Sequence, residues 1–285
     1  EDENQAQSAQ SNNTNKLLSI GEAIAIFKKD FWSTRSIDNP KAKTTWQGYN
    51  EVIAKIPLDG SILSFEYLKE LVLNNSNPET RKREKWVMVC ARLGAIAGID
   101  TSAIKALKGD RILRNRYIPD DVEIEAVRQS IIDPEWQWAF GMLAAYGLRP
   151  SEFFHLDFDS IDKGIVKVGA NTKTGERIIY PLNKQWLNDW QLIEVNYPRS
   201  LKKSISDTRL TNREKGGKIS RKFKSLGLNF TPYALRDAYA IRGAVLGISP
   251  SIVSQWMGHS LAVHYSAYQR YLSEREWSQV WDKLD

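Results

Sequence analysis

One cysteine and three histidines in 285 residues leave this chain few means of crosslinking itself or of holding a metal. Cys90 alone cannot build an internal disulfide framework, which points to a reducing compartment, the cytoplasm. It lies in the apolar run WVMVCARLGA and reads as a small core residue. So few histidines and cysteines also leave little for a zinc site. No apolar run approaches the roughly 18 residues of a membrane span, and no N-terminal apolar segment suggests secretion. Strand signals are scarce too: Ile165–Leu182 is the only clear one, two short apolar runs around Thr174 and Gly175.

What is present is helical periodicity and positive charge. Hydrophobic residues make up 42% of the chain, enough for two domains with their own cores. Forty Lys or Arg against 34 Asp or Glu give a net charge of +6, which fits a polyanionic partner without requiring one.

In order along the chain, residues 1–15 carry Gln, Asn, Ser and acid with almost nothing to bury, and are expected to be disordered. Amphipathic helical patterns follow at Leu18–Phe31 and at about 41–55, 63–74 and 79–97, separated by turn chemistry at Pro57–Gly60 and Asn74–Pro78. Residues 16–110 therefore read as a small all-helical domain. Its last helix opens on Arg81, Lys82 and Arg83, a turn that could track a DNA backbone or simply face water. The basic segment Lys108–Pro119 reads as a linker, and 111–285 as a second domain. The expected fold class is mainly α with one small β-hairpin or sheet, α+β overall.

The second domain carries a series of isolated polar residues. Helices are expected at Asp120–Gln129, with acids in its first turn, and at Glu135–Tyr146, which looks buried. The latter ends in GLRPSE, which holds Arg149 at a tight helix–helix corner, with Glu152 as its structural partner. A guanidinium there presents a planar fork suited to two phosphate oxygens, although an isolated string of this kind would be read as a surface or capping arginine. His155 reads as a packing residue. Lys173 rides at the hairpin tip, where it reaches outward as a proton donor or as a solubilising turn residue.

From Arg199 to Lys224 there are ten Lys or Arg against two acids, with a short helix expected at about 217–225. Lys202, Lys203, Arg213, Lys215, Lys218, Arg221 and Lys222 would supply sequence-independent phosphate contacts. Thr231–Tyr271 then reads as three short helices, two of them opened by Thr231-Pro232 and Ser249-Pro250. Leu235, Ala238, Ile241 and Val245 form an apolar stripe with Arg236 beside it. Gly258 stops the second helix, His259 follows at once, and Tyr268 comes nine residues later, between Tyr265 and Tyr271.

Arg149 in GLRPSE, Lys173 in TKTGER, Arg236 in YALR, His259 in GHS and Tyr268 resemble, in order and spacing, the motifs of the tyrosine recombinase (phage integrase) family. The likeness covers about 115–285 well; the N-terminal helices are similar, less specifically, to that family's SAM-like core-binding domain. The resemblance implies a site-specific recombinase that cuts and rejoins DNA through a 3′-phosphotyrosyl intermediate. Tyr268 would be the nucleophile, Arg149 and Arg236 the phosphate clamp, Lys173 the general acid, and His259 a hydrogen-bond donor to the phosphate. No metal or ATP would be needed, because the phosphotyrosyl link stores the bond energy. The implied partner is double-stranded DNA carrying paired sites, bound by a homotetramer at the nucleoid, with no membrane involved and an accessory factor left open.

Two positions depart from the family. A histidine usually stands three residues before the second arginine and often another directly after it; here Tyr233 and Asp237 occupy those places. A phenol, with an ordinary pKa of about 10, is a poor base at neutral pH, so Tyr233 would keep a hydrogen-bonding role only. In this the chain resembles cyanobacterial recombinases that excise DNA elements, which favours an active enzyme. The rivals are a catalytically impaired DNA-binding relative, a type IB topoisomerase and an unrelated basic helical binding protein. Ser273–Leu284 puts Trp277, Val280, Trp281 and Leu284 on one face of a C-terminal amphipathic helix, which docks in cis or on a neighbouring protomer.

Overall fold

The computed structural model describes residues 17–112, 116–268, 271, 278, 281 and 282. The expected N-terminal tail and nearly all of the expected C-terminal helix lie outside the described residues. The chain divides into two compact units, Glu1–Leu113 and Arg114–Asp285.

Among the described residues, the first unit is built of helices, as its periodicity suggests, with one isolated bridge between Ser19 and Ile62. Helix α1 (Ile20–Ser33) starts in a capping box in which Ser19 and Glu22 satisfy each other's backbone donors. Asn39 caps α2 (Pro40–Ile53), whose proline sits where its missing N–H costs nothing. Ser64 caps α3 (Phe65–Asn75), Thr80 caps α4 (Arg81–Ile96), and α5 (Ser102–Ala106) closes the unit. Helix α4 is the central element, packing on α1, α2, α3 and α5. It buries Trp86, Val89, Cys90 and Leu93. Burial pushes the Cys90 thiol up to about 12, so this is an inert core residue.

In the second unit, α6 (Asp121–Ser130) and α7 (Pro134–Tyr146) precede the sheet. Helix α7 buries every residue from Trp138 to Tyr146 and packs on α6, α8 (Gln185–Asp189) and α11 (Pro232–Val245). A single 3-10 turn, Glu152–His155, leads into β1 (Leu156–Asp157). Strands β2 (Val166–Val168) and β3 (Arg177–Ile179) form the expected hairpin. Strand β1, too short to leave a sequence signal, extends it to a three-stranded antiparallel sheet in the order β1-β2-β3.

The basic stretch is more helical than expected. It forms α9 (Arg199–Ser206) and a long α10 (Asn212–Ser225), where only 217–225 was anticipated. Thr211 and Glu214 make a capping box that carries α10 across Gly216 and Gly217. Helices α11, α12 (Pro250–Met257) and α13 (Leu261–Tyr268) complete the unit. The stripe read on α11 holds only in part. Leu235 and Ala238 are buried, whereas Ile241 and Val245 are half-exposed, and Tyr239, Arg242 and Gly243 go inward instead. Arg242 can be buried because it pairs with Asp121 at 2.6 Å and lies over the Trp186 ring.

Candidate active site

The site is built where three helix ends meet. Helix α7 ends at Gly147, which caps it at φ +58 with the Tyr239 ring packed where a side chain would go. Helix α12 ends at Gly258, φ +66, packed closely against Thr174 and Arg177. The last carbonyls of a helix have no intrahelical partner and carry its negative end. Here those carbonyls accept from two arginines. Arg236, on α11, donates Nη1 to the Gly147 carbonyl at 2.7 Å and Nη2 to the Met257 carbonyl. Arg149 donates Nη2 to the Gly258 carbonyl at 2.9 Å.

Glu152 sits at the centre, fully buried. It accepts from Arg149 Nη1 at 2.5 Å and from Arg177 Nη2 at 2.7 Å, with Arg236 Nη1 at 3.8 Å. A second oxygen contact, 2.8 Å from the Arg149 backbone N–H, fixes the corner itself. Burial works against its charge, but Arg236, Arg177 and Arg149 outweigh it and hold the carboxyl below its ordinary range. Burial, reinforced by Arg149, pushes Arg236 down to about 10, so it stays charged at neutral pH. Three guanidiniums on one carboxylate leave a local excess of positive charge.

Tyr268, at the end of α13, is 9% exposed, and its ring centroid lies 5.7 Å from that of His259. Burial raises the phenol above its ordinary range, while Arg236 pulls it the other way. His259 is pushed down to about 4 by burial and then by the Arg236 charge, so it is neutral at pH 7. Its Nδ1 lies 3.3 Å from the Ser260 carbonyl, which can only accept, so the proton is on Nδ1. Its Nε2 is buried and has no hydrogen-bond partner among the described residues. In this tautomer Nε2 is an acceptor, and it can donate to a phosphate oxygen once it takes up a proton.

Of the expected catalytic residues, the structure brings Arg149, Arg236, His259 and Tyr268 together. Lys173 is exposed on the β2–β3 loop. Its neighbour Thr174 is anchored, accepting from Arg149 at 3.1 Å and from Arg177 at 3.3 Å. Tyr233 is 44% exposed in the first turn of α11. Asp237 is buried and pairs with Arg116 at 3.2 Å.

The basic residues divide. Arg81 and Lys82 are exposed on α4, as are Lys202 and Lys203 on α9 and Arg213 and Arg221 on α10. Lys218 and Lys222 are half-buried, with the Lys222 ammonium 5.1 Å from the Trp136 ring centre. Arg83 and Lys215 correct the expectation: both are buried. Arg83 donates to the Ser76 carbonyl at 2.5 Å and Lys215 to the Ile205 carbonyl at 3.1 Å, so each holds its own fold together. His155 is half-buried, with its Nε2 2.7 Å from Asn212 Oδ1.

Sequence reasoning missed Arg177 and His264. Arg177 falls within the strand signal of Ile165–Leu182, yet it binds Glu152, Thr174 and the Trp256 carbonyl. His264 lies on α13, its ring centroid 5.1 Å from that of Tyr268. Helical spacing was the available signal, since residues four apart share a face.

Known proteins resemble the chain in sequence and in fold. Residues 21–108 match a family model described as the XisA/XisC excisase second domain. Excisase A of Nostoc sp. strain PCC 7120 is 39% identical over 149 residues, 48% of this chain and 31% of its own length. Excisase C of the same organism is 27% identical over 291 residues, 90% of this chain and 55% of its own. The chain thus spans about half or less of the curated relatives it matches. A lambda integrase, solved as a tetramer bound to a Holliday junction, superposes with a TM-score of 0.62 at 17% identity, covering 90% of this chain and 82% of that one. The chain is therefore similar in sequence to excisases A and C, its residues 21–108 are similar to the XisA/XisC excisase second domain, and it has the fold of the lambda integrase.

Proposed function

We propose that this chain is a site-specific tyrosine recombinase that excises DNA by cutting and rejoining strands through a 3′-phosphotyrosyl link. The single observation that carries the reading is the convergence of Arg149 and Arg236 beside a buried Tyr268 and the unpartnered Nε2 of His259. Fixed guanidiniums in a site shielded from water stabilise charge as it develops on the non-bridging oxygens, with no reorganisation at the moment of reaction. Tyr268 attacks phosphorus, the bond to the 5′ oxygen breaks, and Lys173 protonates the departing oxygen. His259 binds the phosphate through Nε2, for which it must take up a proton while Nδ1 keeps its own. The phosphotyrosyl link keeps the bond energy for rejoining, so the cycle needs neither ATP nor metal.

The substrate is double-stranded DNA with paired sites, gripped through its phosphates by Arg81 and Lys82 of the first unit and Lys202, Lys203, Arg213, Lys218, Arg221 and Lys222 of the second. A tetramer acting at the nucleoid, on the pattern named for the lambda integrase structure, completes the reading.

A second reading has its own support. Asp237 stands where a second histidine is usual, and its charge opposes ionisation of Tyr268. On that reading the chain binds DNA without cutting it. Trapping separates the two. The protein is incubated with total DNA of its source, with chelator and without nucleotide, and quenched in detergent beside Tyr268→Phe. Covalent adducts that vanish in the variant support the recombinase; tight binding without adducts from either protein supports the binding reading.

A further inference from the structure

A phenol that attacks phosphorus must lose its proton, and the group that takes it has to lie beside the ring. Tyr233 is poorly placed for this, being 44% exposed and without a ring contact or hydrogen bond to Tyr268 among the described residues. Glu152 is occupied by three guanidiniums, and Asp237 by Arg116 at 3.2 Å.

One buried imidazole has not been used. His264 precedes Tyr268 by four residues on α13, so the two stand one turn apart on the same face. Its side chain is 6% exposed, with ring centroids 5.1 Å from Tyr268 and 5.3 Å from His259. Its Nδ1 is buried without a hydrogen-bond partner among the described residues. A buried nitrogen left unpaired destabilises the fold, which a purely structural histidine would avoid.

We propose that His264 is a further catalytic residue of this site, the imidazole whose Nδ1 takes the proton of Tyr268 during attack. The inference rests on the recombinase reading above. In the neutral tautomer with its hydrogen on Nε2, Nδ1 offers a lone pair. The Tyr268 O–H bond breaks towards it, the phenolate oxygen bonds to phosphorus, and the bond to the 5′ oxygen breaks. That oxygen leaves with a proton from Lys173. Cleavage thus ends with His264 protonated and Lys173 neutral, the state from which rejoining runs in reverse.

The surroundings suit an acceptor. Arg236 faces His264 from α11, His259 from the α12–α13 junction, and Tyr265 and Tyr268 from its own helix. Burial and the Arg236 charge keep the free imidazole below its ordinary value, hence neutral and able to accept. The incoming phosphate supplies the negative charge that stabilises it once protonated.

The test uses a nicked suicide duplex carrying a sequence recovered by trapping, with adduct formation timed for wild type, His264→Ala, His264→Asn and Lys173→Ala. DNA affinity and thermal midpoint are measured alongside as a check on folding. Both His264 variants should bind DNA normally yet cleave about 10²–10⁴-fold more slowly, the range typical of a lost general base. Their rates should climb with pH where wild type is flat, and added imidazole should restore the alanine variant. A substrate with a 5′-bridging sulfur, whose leaving group needs no proton, should rescue Lys173→Ala but neither His264 variant. His264 variants that match wild type at every pH, or that the sulfur substrate rescues, overturn the proposal while leaving the recombinase reading intact. Absence of adduct from wild type overturns both.

Discussion

The Arg149 guanidinium donates to the Gly258 carbonyl at 2.9 Å, a bond between residues 109 positions apart. It ties the corner after α7 to the end of α12, and Gly258 makes it possible. At φ +66 a Cβ would meet Thr174 Oγ1 at 2.7 Å and Arg177 at 2.9 Å. Gly258→Ala should therefore destabilise the protein by about 1–3 kcal/mol through backbone strain. It should also slow adduct formation by displacing Arg149. Thermal unfolding and trapping on one preparation check both; an unchanged midpoint would contradict the packing described.

Glu152 is the shared counter-ion of Arg149, Arg177 and Arg236. Glu152→Gln keeps its shape but leaves the guanidiniums facing one another, at an expected cost of about 3–5 kcal/mol near pH 7. The pH dependence has a definite sign. A carboxyl held below its ordinary value of about 4.3 stabilises the fold above that pH, and the contribution is lost as pH falls through the folded value. Urea midpoints of wild type and variant should therefore lie far apart at neutral pH and converge only as pH falls through the folded value, below the ordinary value of about 4.3.

How far the site was legible follows from how each residue is held. Arg149, Arg236, His259 and Tyr268 stand out through their order and spacing, which resemble a family pattern, with helix punctuation at Gly147, Pro232 and Gly258 beside them. Arg177 does not, because its partner Glu152 is 25 residues away and a short strand gives no hint of which side chain turns inward. The α11 stripe misled for a related reason. Arg242 is buried by an ion pair with Asp121, 121 residues away, and no apolar periodicity records that. The helical first unit was read more easily, because each of its first four helices carries a capping side chain immediately before it.

His259 gives a prediction about proton uptake. Its value of about 4 means that the folded state prefers the neutral ring. Its contribution to stability is present above about pH 6.5, the ordinary value, and fades as pH falls from there towards the folded value. A phosphate mimic on Nε2 should raise the value, so binding of vanadate near pH 6 should take up a proton. Calorimetry in buffers of different ionisation heat measures this. Binding without uptake would contradict the assigned tautomer.

The basic helices separate contact from support. Lys202→Ala and Lys203→Ala remove exposed charges and should each lower the salt slope of DNA binding by about 0.9 if they meet a phosphate. Lys215→Ala should leave the slope alone and lower stability instead, since its ammonium holds the Ile205 carbonyl from inside the fold.

The central claim is that Tyr268 carries the DNA, and peptide mapping of the trapped adduct tests it most directly. After nuclease and protease digestion, mass spectrometry locates the nucleotide and the end it is joined through. The account predicts a 3′-phosphate ester on Tyr268, with the partner strand ending in a 5′-hydroxyl. A nucleotide on Tyr265 or Tyr271, or a link through a 5′-phosphate, would contradict it.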